Sequence, residues 1–567
     1  MIKKGFSAYK EASNFAKLLA EKIGVNVKVL KDGSHWFVSA PEELTSNSQK
    51  PPEDRENNSI ESQPQKSRVG EEIRRHEKQS TSVTCSGKNK HCGLDFGTTN
   101  SLLTYLINGQ LNFGEINKGL TSVPSAAWFS VDKDKIDIVV SETEITTQYQ
   151  KRFGTTLAGG NTITIRRQKI KQELIDRKTV EVSNRLSTLS DLSTNSQTAV
   201  GIDALSSHNE GNDGLLVKSP KSIIGNELNQ TQVQIFQDVI GRMLTQYKRS
   251  VEENSNMYFD SIVIGRPITW SVHPTKEKDR VSESIMKSAA IAAGFKNVEF
   301  QFEPLAAATA LEDEHNIKEE IICLVVDIGG GTTDVAMVTL GNKRGKEVVS
   351  HERVIASEGT RFGGVDLDIA LAVSQFGRMF GVEYFDEFGI IIKSCVPDFQ
   401  TVIKNACRIN DYPAQRQFKK EHYRVENAYN NSSGDRQKYL ARLLKLYYRD
   451  MNLDLVFEAE KLKIELSSNQ DYTAHLNFLE QGCNMTVTTD DFIEAINYPA
   501  NQIKKTIDNV LAQGACQPDK VLITGGGSLS TGLIDLLGLK KFQGKFIDTD
   551  RLTGVAKGLG ITAAKIF

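Results

Sequence analysis

The chain has 567 residues, 39% hydrophobic and 25% charged, with a formal net charge of −2. That length predicts about three or four domains, the composition a soluble globular protein, and a charge this close to zero argues against bulk binding to nucleic acid or an anionic membrane. No apolar run approaches the roughly 20 residues that span a bilayer, and the basic N-terminus lacks a continuous apolar core, so the expected location is cytoplasmic. The seven cysteines are scattered. Cys85 and Cys92 are the only close pair, and without a second pair or a His partner a zinc site is not expected. Cys323, Cys407 and Cys516 are expected core thiols.

From Phe6 to Ile23, apolar residues recur at close to helical spacing and Gly24 stops the run. Residues 25–30 and 36–38 then flank Lys31-Asp32-Gly33-Ser34, a hairpin signal. A small α+β module is therefore expected over residues 1–43, serving as a docking element or as a marginal appendage. Residues 44–90 are polar and poor in large apolar side chains, the composition of a disordered linker, with a span of roughly 35–40 Å.

At Cys92 the chain reads CGLDFGTTNSLLTYL: an apolar entry, Asp95, then Gly97, Thr98 and Thr99, then an apolar run. Residues 163–178 are basic and helical in pattern, but interleaved acids and absent aromatics favour a solvated face over nucleic-acid contact. In LLVKSPKSIIG a lysine stands beside a Pro-fixed turn and could be aimed at a terminal phosphate. Lys221 is the first choice and Lys218 the competing one. SIVIGRP reads as a strand ending at a site, and VEFQFEPLAAATALE as a strand followed by an Ala-rich helix. Glu303 before Pro304 either caps that helix or faces a bound magnesium or water.

A second hairpin, VVDIGGGTTDVAMVT, follows the plan of the first. Gly329, Gly330 and Gly331 allow a tight turn with inward amides, an anion nest. Thr332 and Thr333 add donors, and Asp327 and Asp334 could hold a hydrated divalent cation. An ordinary Gly-rich hairpin would look alike in isolation, but the internal repeat suggests two similar lobes meeting one polyphosphate. Gly363 and Gly364 precede a helix with Asp366 and Asp368 in its first turn. Glu460, Lys463 and Ser467 share one face of a later helix, which could meet solvent or a nucleotide. Near the end, VLIT, Gly525, Gly526, Gly527 and Ser528 form a strand and glycine turn.

In this order the motifs resemble the actin-like ATPase superfamily, and most closely its seventy-kilodalton heat-shock chaperone branch. CGLDFGTTNS and VVDIGGGTTDV are similar to the two phosphate motifs, FEPLAAATA to the connecting motif, KSIIG to the catalytic-lysine segment and VLITGGGSLS to the adenosine motif. KSPKSIIG, the IGRP strand and the early C-terminus resemble YegD-type proteins, ATPase domains without a peptide-binding domain. The resemblance implies an α/β fold of two ribonuclease H-like lobes, residues 91–320 and 321–567, with a peripheral helical subdomain at 366–480.

It also implies ATP or ADP and Mg2+ as ligands. Asp95 and Asp327 would position the metal, with Asp334 nearby, and Thr98, Thr99 and Thr332 would meet phosphate oxygens. Lys221 and Glu303 would orient the attacking water, while Glu460, Lys463 and Ser467 would face Gly525, Gly526 and Gly527 across the nucleoside. Leu529 and Ile464 stand where the chaperones carry arginines, so weaker nucleotide binding is expected. The leading expectation is a slow, chaperone-like ATPase that switches between lobe arrangements and signals to an unidentified protein partner or client. The alternatives are a nucleotide-sensing module with negligible hydrolysis and a small-molecule kinase, with a filament-forming role ranked last.

Overall fold

A computed structural model describes residues 4–6, 28–32, 35–39 and 90–567, excepting 118, 131–139, 155–162, 172, 175–176, 179–197, 211–213, 272–274, 342–350, 383–398 and 448–450. The chain forms two compact units, Met1–Val83 and Thr84–Phe567. In the first, Lys4–Phe6, Lys28–Asp32 and His35–Ser39 make a three-stranded antiparallel sheet with His35–Ser39 in the middle. The two strands expected to flank residues 33–34 pair antiparallel, with Asp32 opposite His35, while residues 33–34 lie outside the described residues. Phe6 corrects the expectation of a helix start: it lies in a strand, opposite Trp36. That pairing joins residues thirty positions apart, which local apolar spacing cannot register. The rest of the expected helix and residues 44–89 of the expected linker, Cys85 included, lie outside the described residues. Lys90, assigned to that linker, begins a strand.

The second unit is organised by two sheets. In the first, strand β1 (Lys90–Phe96) pairs antiparallel with β2 (Asn100–Ile107). A smaller neighbouring sheet contributes β3 (Gly214–Lys218), followed by the short helix α1 (Pro220–Ile224). On its other side β1 pairs in parallel with β4 (Phe259–Arg266), which pairs in parallel with β5 (Asn297–Phe302). Helix α2 (Glu303–Glu314) follows without a break.

The second sheet repeats the arrangement. Strand β6 (Ile321–Ile328) pairs antiparallel with β7 (Thr333–Leu340), which pairs with β8 (Val354–Thr360). Helix α3 (Gly364–Ser374) then begins on the expected glycine pair. Several further helices lead to α4 (Met451–Leu466). Strand β9 (Lys520–Thr524) pairs in parallel with the free side of β6, and α5 (Gly554–Ile566) closes the chain. Each carboxylate-ending strand, β1 and β6, thus has an antiparallel return strand on one side and a parallel strand on the other. Leu324, Val325 and Val326 are all fully buried, which is why the sequence there runs apolar without alternation.

Three apolar clusters fix the sheets. One packs β1, β2 and β4 against the helices Gln230–Ser255 and Lys276–Ala292. Another gathers β6, β7, α3 and α4. The third joins the sheets: Val263 of β4 and Val325 and Ala336 of the second sheet meet Leu305 of α2 and Leu559 of α5. Small residues make this junction possible. A Cβ at Gly558 would lie 1.7 Å from the Ala306 carbonyl oxygen, and one at Gly93 2.2 Å from the Gly560 nitrogen. Cys92, Cys323 and Cys407 are buried thiols, whereas Cys516, expected in the core, is only partly buried. Cys516 sits in the connection just after a helix rather than inside an element, so helical context upstream overstated its burial.

Candidate functional site

The two glycine hairpins face each other. A Cβ at Gly330 would lie 2.3 Å from Thr99 Oγ1, and one at Gly331 2.9 Å from Thr98 Oγ1 and 2.5 Å from Ser222 Oγ. Glycine at these positions therefore keeps space between the two turns. The β6–β7 turn is held by Gly329 N–H donating to the Thr332 carbonyl at 2.9 Å. It is braced by α3, where Gly364 N–H donates to Gly329 O at 2.9 Å and Val365 N–H to Gly330 O at 2.7 Å. A Cβ at Gly363 would meet Gly329 O, Gly330 O and Thr332 N, each at 2.8 Å. Gly97 serves its own turn, since a Cβ there would meet the Asn100 carbonyl oxygen at 2.3 Å. Thr333 is turned away: fully buried, its hydroxyl donates to Phe362 O at 2.7 Å.

Carboxylates gather beside these turns. Asp327 stands directly opposite Asp334 in the β6–β7 register, where like charges repel. Asp334 accepts the Ile268 N–H at 2.6 Å. Glu303 does not cap α2, because the cap position, Phe302, makes no side-chain bond. Its carboxylate instead pairs with Lys221, and both side chains are nearly inaccessible, at 8% and 7%. Lys221 is aimed by the turn before it: Ser219 adopts φ +56° ahead of Pro220. A left-handed conformation costs a non-glycine residue roughly 1–2 kcal/mol, and the tight turn places the next side chain inward.

Burial, Glu303 and the other carboxylates shape the charge states. Burial first, then Glu303, push the Asp95 carboxyl up to about 7, with Lys221 opposing. Asp334 is raised to about 7 for the same leading reasons, and Asp327 is raised well above the ordinary range. Burial would lower the Lys221 ammonium, but Glu303 and Asp95 outweigh it and its pKa is raised. Excess negative charge held out of water is the environment a divalent cation relieves. Among the described residues no group of three or more His, Cys, Asp or Glu could hold a metal ion directly.

A pH dependence follows. The raised carboxyls contribute stability that is complete below the unfolded value of 3.8 and is lost as pH rises through about 7. Metal-free protein should melt at a lower temperature at about pH 8 than at about pH 6, and Mg2+ with ADP should narrow the gap. Thermal denaturation at both pH values measures it, and an equal gap in the Asp95→Asn and Asp334→Asn variants would contradict the assignment.

The remaining expected residues lie around this centre. Lys463 Nζ donates to Gly364 O at 3.1 Å and pairs with Asp368 at 2.8 Å, so α4 is tied to α3. Burial raises Asp368 to about 6 despite Lys463. Glu460 pairs with Lys218 at 2.5 Å. The ammonium also lies 4.4 Å from the Phe457 ring centroid, so the competing lysine joins β3 to α4 instead of reaching the Asp95–Asp327 cluster. Ser467, one residue past α4, donates to Lys463 O at 3.0 Å. Gly525 adopts φ +84°, and a Cβ there would lie 2.7 Å from Asp327 Oδ1; one at Gly527 would lie 2.9 Å from Ile328 O. A Cβ at Gly526 would touch only Leu552, at 3.7 Å. Thr531 Oγ1 donates to Leu466 O at 2.9 Å, tying the segment after the glycine turn to the end of α4. Ser222 and Arg361 carried no distinct sequence signal. Arg361 donates to Trp270 O and Ser222 O at 2.9 and 3.0 Å, links that join segments far apart in the chain.

Comparisons with known proteins support a similarity to the actin-like ATPase superfamily. The MreB/Mbl protein family matches residues 211–369, which contain α1, Glu303, the second hairpin and the α3 glycine pair. The cell shape-determining protein MreB of Haemophilus influenzae is 25% identical over 291 residues, 50% of this chain and 61% of that protein. The chaperone protein DnaK of Elusimicrobium minutum is 36% identical over 100 residues, 17% of this chain and 15% of that protein. The chain thus spans less than two thirds of these relatives. Among the described residues no helix is long and apolar enough to cross a membrane.

Proposed function

We propose that the protein is a slow, Mg2+-dependent ATPase whose two lobes close on the nucleotide and report its state to a protein partner, as a chaperone-like switch. The observation that carries this reading is the convergence of Asp95, Asp327, Asp334 and the Lys221–Glu303 pair beside two facing glycine–threonine turns. Phosphoryl transfer asks for this kind of site, because positioning and charge neutralisation do most of the work. Thr98, Thr99, Thr332 and the amides of Gly329, Gly330 and Gly331 bind phosphate oxygens. Lys221 and Glu303 orient the water that attacks the terminal phosphorus. Asp95, Asp327 and Asp334 would hold the hydrated Mg2+, which supplies charge neutralisation on the phosphates. Glu460, Lys463 and Ser467 face Gly525, Gly526 and Gly527 across the nucleoside. With a net charge of only −2, the output falls on a protein in the cytoplasm rather than on nucleic acid or a membrane.

A second reading, a nucleotide sensor with negligible hydrolysis, is favoured by Ile464 and Leu529. Both are large apolar side chains with 60% and 47% exposure, where the resemblance leads one to expect guanidinium groups. Missing a stacked cation costs roughly 0.5–2 kcal/mol, or about 2- to 30-fold in affinity. Leu529→Arg should recover affinity in that range by calorimetry, and nanomolar ATP binding by the unmodified chain would contradict the expectation. A single-turnover assay with γ-labelled ATP separates the two readings: labelled phosphate released with one exponential supports the ATPase, and ATP bound but uncleaved supports the sensor.

A further inference from the structure

A cavity of about 510 Å³ opens beside α3, in the second unit, outside the carboxylate cluster. Its volume is within the range of small-molecule sites, about 300–1,000 Å³. Phe362, Ile369 and Val373 give it an apolar wall, and Tyr498, 65% exposed, stands edge-on to Phe362 at 5.9 Å. Arg378, Lys404 and Arg408 also line it, against a single lining carboxylate, Asp366. Asp366 is engaged already, accepting the Gly363 N–H at 3.0 Å. Outside the lining, Asp411 lies 3.6 Å from Arg408, and Asp491 is close enough to Arg378 to be stabilised by it. Three cations thus line the cavity beside one lining carboxylate, with Asp411 and Asp491 engaging Arg408 and Arg378 from outside it, so Lys404 adds a positive charge at the rim above the apolar wall.

We propose that this cavity is a second binding site, for a small amphipathic anion: an aliphatic or aromatic body lying on Phe362, Ile369 and Val373, with a carboxylate directed to Arg378 and Lys404. Neither cation belongs to the proposed ATPase machinery, so the inference does not depend on hydrolysis.

The full chain, saturated with ADP and Mg2+ to fill the nucleotide cleft, is titrated calorimetrically with decanoate and with decanol. Decanoate should bind at one site per chain and decanol at least about tenfold more weakly, the value of one charge-assisted contact. Arg378→Ala with Lys404→Ala should weaken decanoate by about tenfold or more and leave decanol unchanged. Ala370→Trp, which fills the cavity from α3, should abolish binding of both. The two alanine changes are at exposed side chains, so the test stands even if the tryptophan variant fails to fold. Equal affinity for decanoate and decanol, no decanoate binding, or displacement of decanoate by ADP would each overturn the proposal. So would unchanged decanoate binding in the double variant, or preference for an acidic leucine-rich peptide, which would reassign the cavity to a protein.

Discussion

Lys221→Ala is expected to lower ATP turnover by at least about 100-fold, a typical value for a positioned group acting on the reacting atoms. It should also destabilise the fold. Lys221 and Glu303 are each more than nine-tenths inaccessible, and removing one partner of a buried pair costs roughly 3–5 kcal/mol because the other is left charged and uncompensated. The loss is aggravated here, since Asp95, Asp327 and Asp334 remain nearby with that cation gone. The two consequences can be separated. Lys221→Met combined with Glu303→Gln removes both charges and should restore the melting temperature while leaving turnover low. Turnover close to the unmodified rate in Lys221→Ala would remove this lysine from the reaction.

Gly558→Ala is expected to be among the most damaging single methyl additions in the chain. The new Cβ would be placed 1.7 Å from the Ala306 carbonyl oxygen, and backbone, unlike a long side chain, cannot swing aside. Helices α2 and α5 would have to separate, disturbing the cluster of Leu305, Leu559, Val263 and Val325 that joins the sheets. Overpacking of this kind costs about 1–3 kcal/mol and occasionally more, and the upper end is expected here. Because α2 begins at Glu303, separation should also loosen the Lys221 pair. Chemical denaturation should show a lower midpoint with an unchanged slope, and ATP turnover should fall with it. Gly526→Ala is the matched control: its Cβ would meet only Leu552, at 3.7 Å, and its midpoint should hardly move.

What was legible in the sequence was local. Both hairpins announced themselves because an apolar run, a glycine turn and a second apolar run are contiguous, and the helix starts at Pro304 and at Gly363-Gly364 carry short-range signals. Thr333 was legible too, had the period of a strand been applied past the turn. Alternate residues face opposite sides, so Thr332 and Asp334 share one face and Thr333 takes the other, where it binds Phe362 O. The long-range pairings were not legible. Lys218 with Glu460 and Lys463 with Asp368 join positions 242 and 95 residues apart, and nothing beside either residue specifies its partner. The strand at Phe6 escaped notice for the same reason.

The proposal's central claim is that Asp95 and Asp327 act on one metal–triphosphate from opposite sides. Calorimetric titration of ATP with and without Mg2+ into the unmodified chain, Asp95→Asn, Asp327→Asn and the double variant tests it most directly. One ATP per chain is predicted, with the Mg2+-dependent gain in affinity lost in either single variant and no further loss in the double, the non-additivity expected of two groups serving one ligand. Two ATP sites per chain, or losses that simply add, would contradict it.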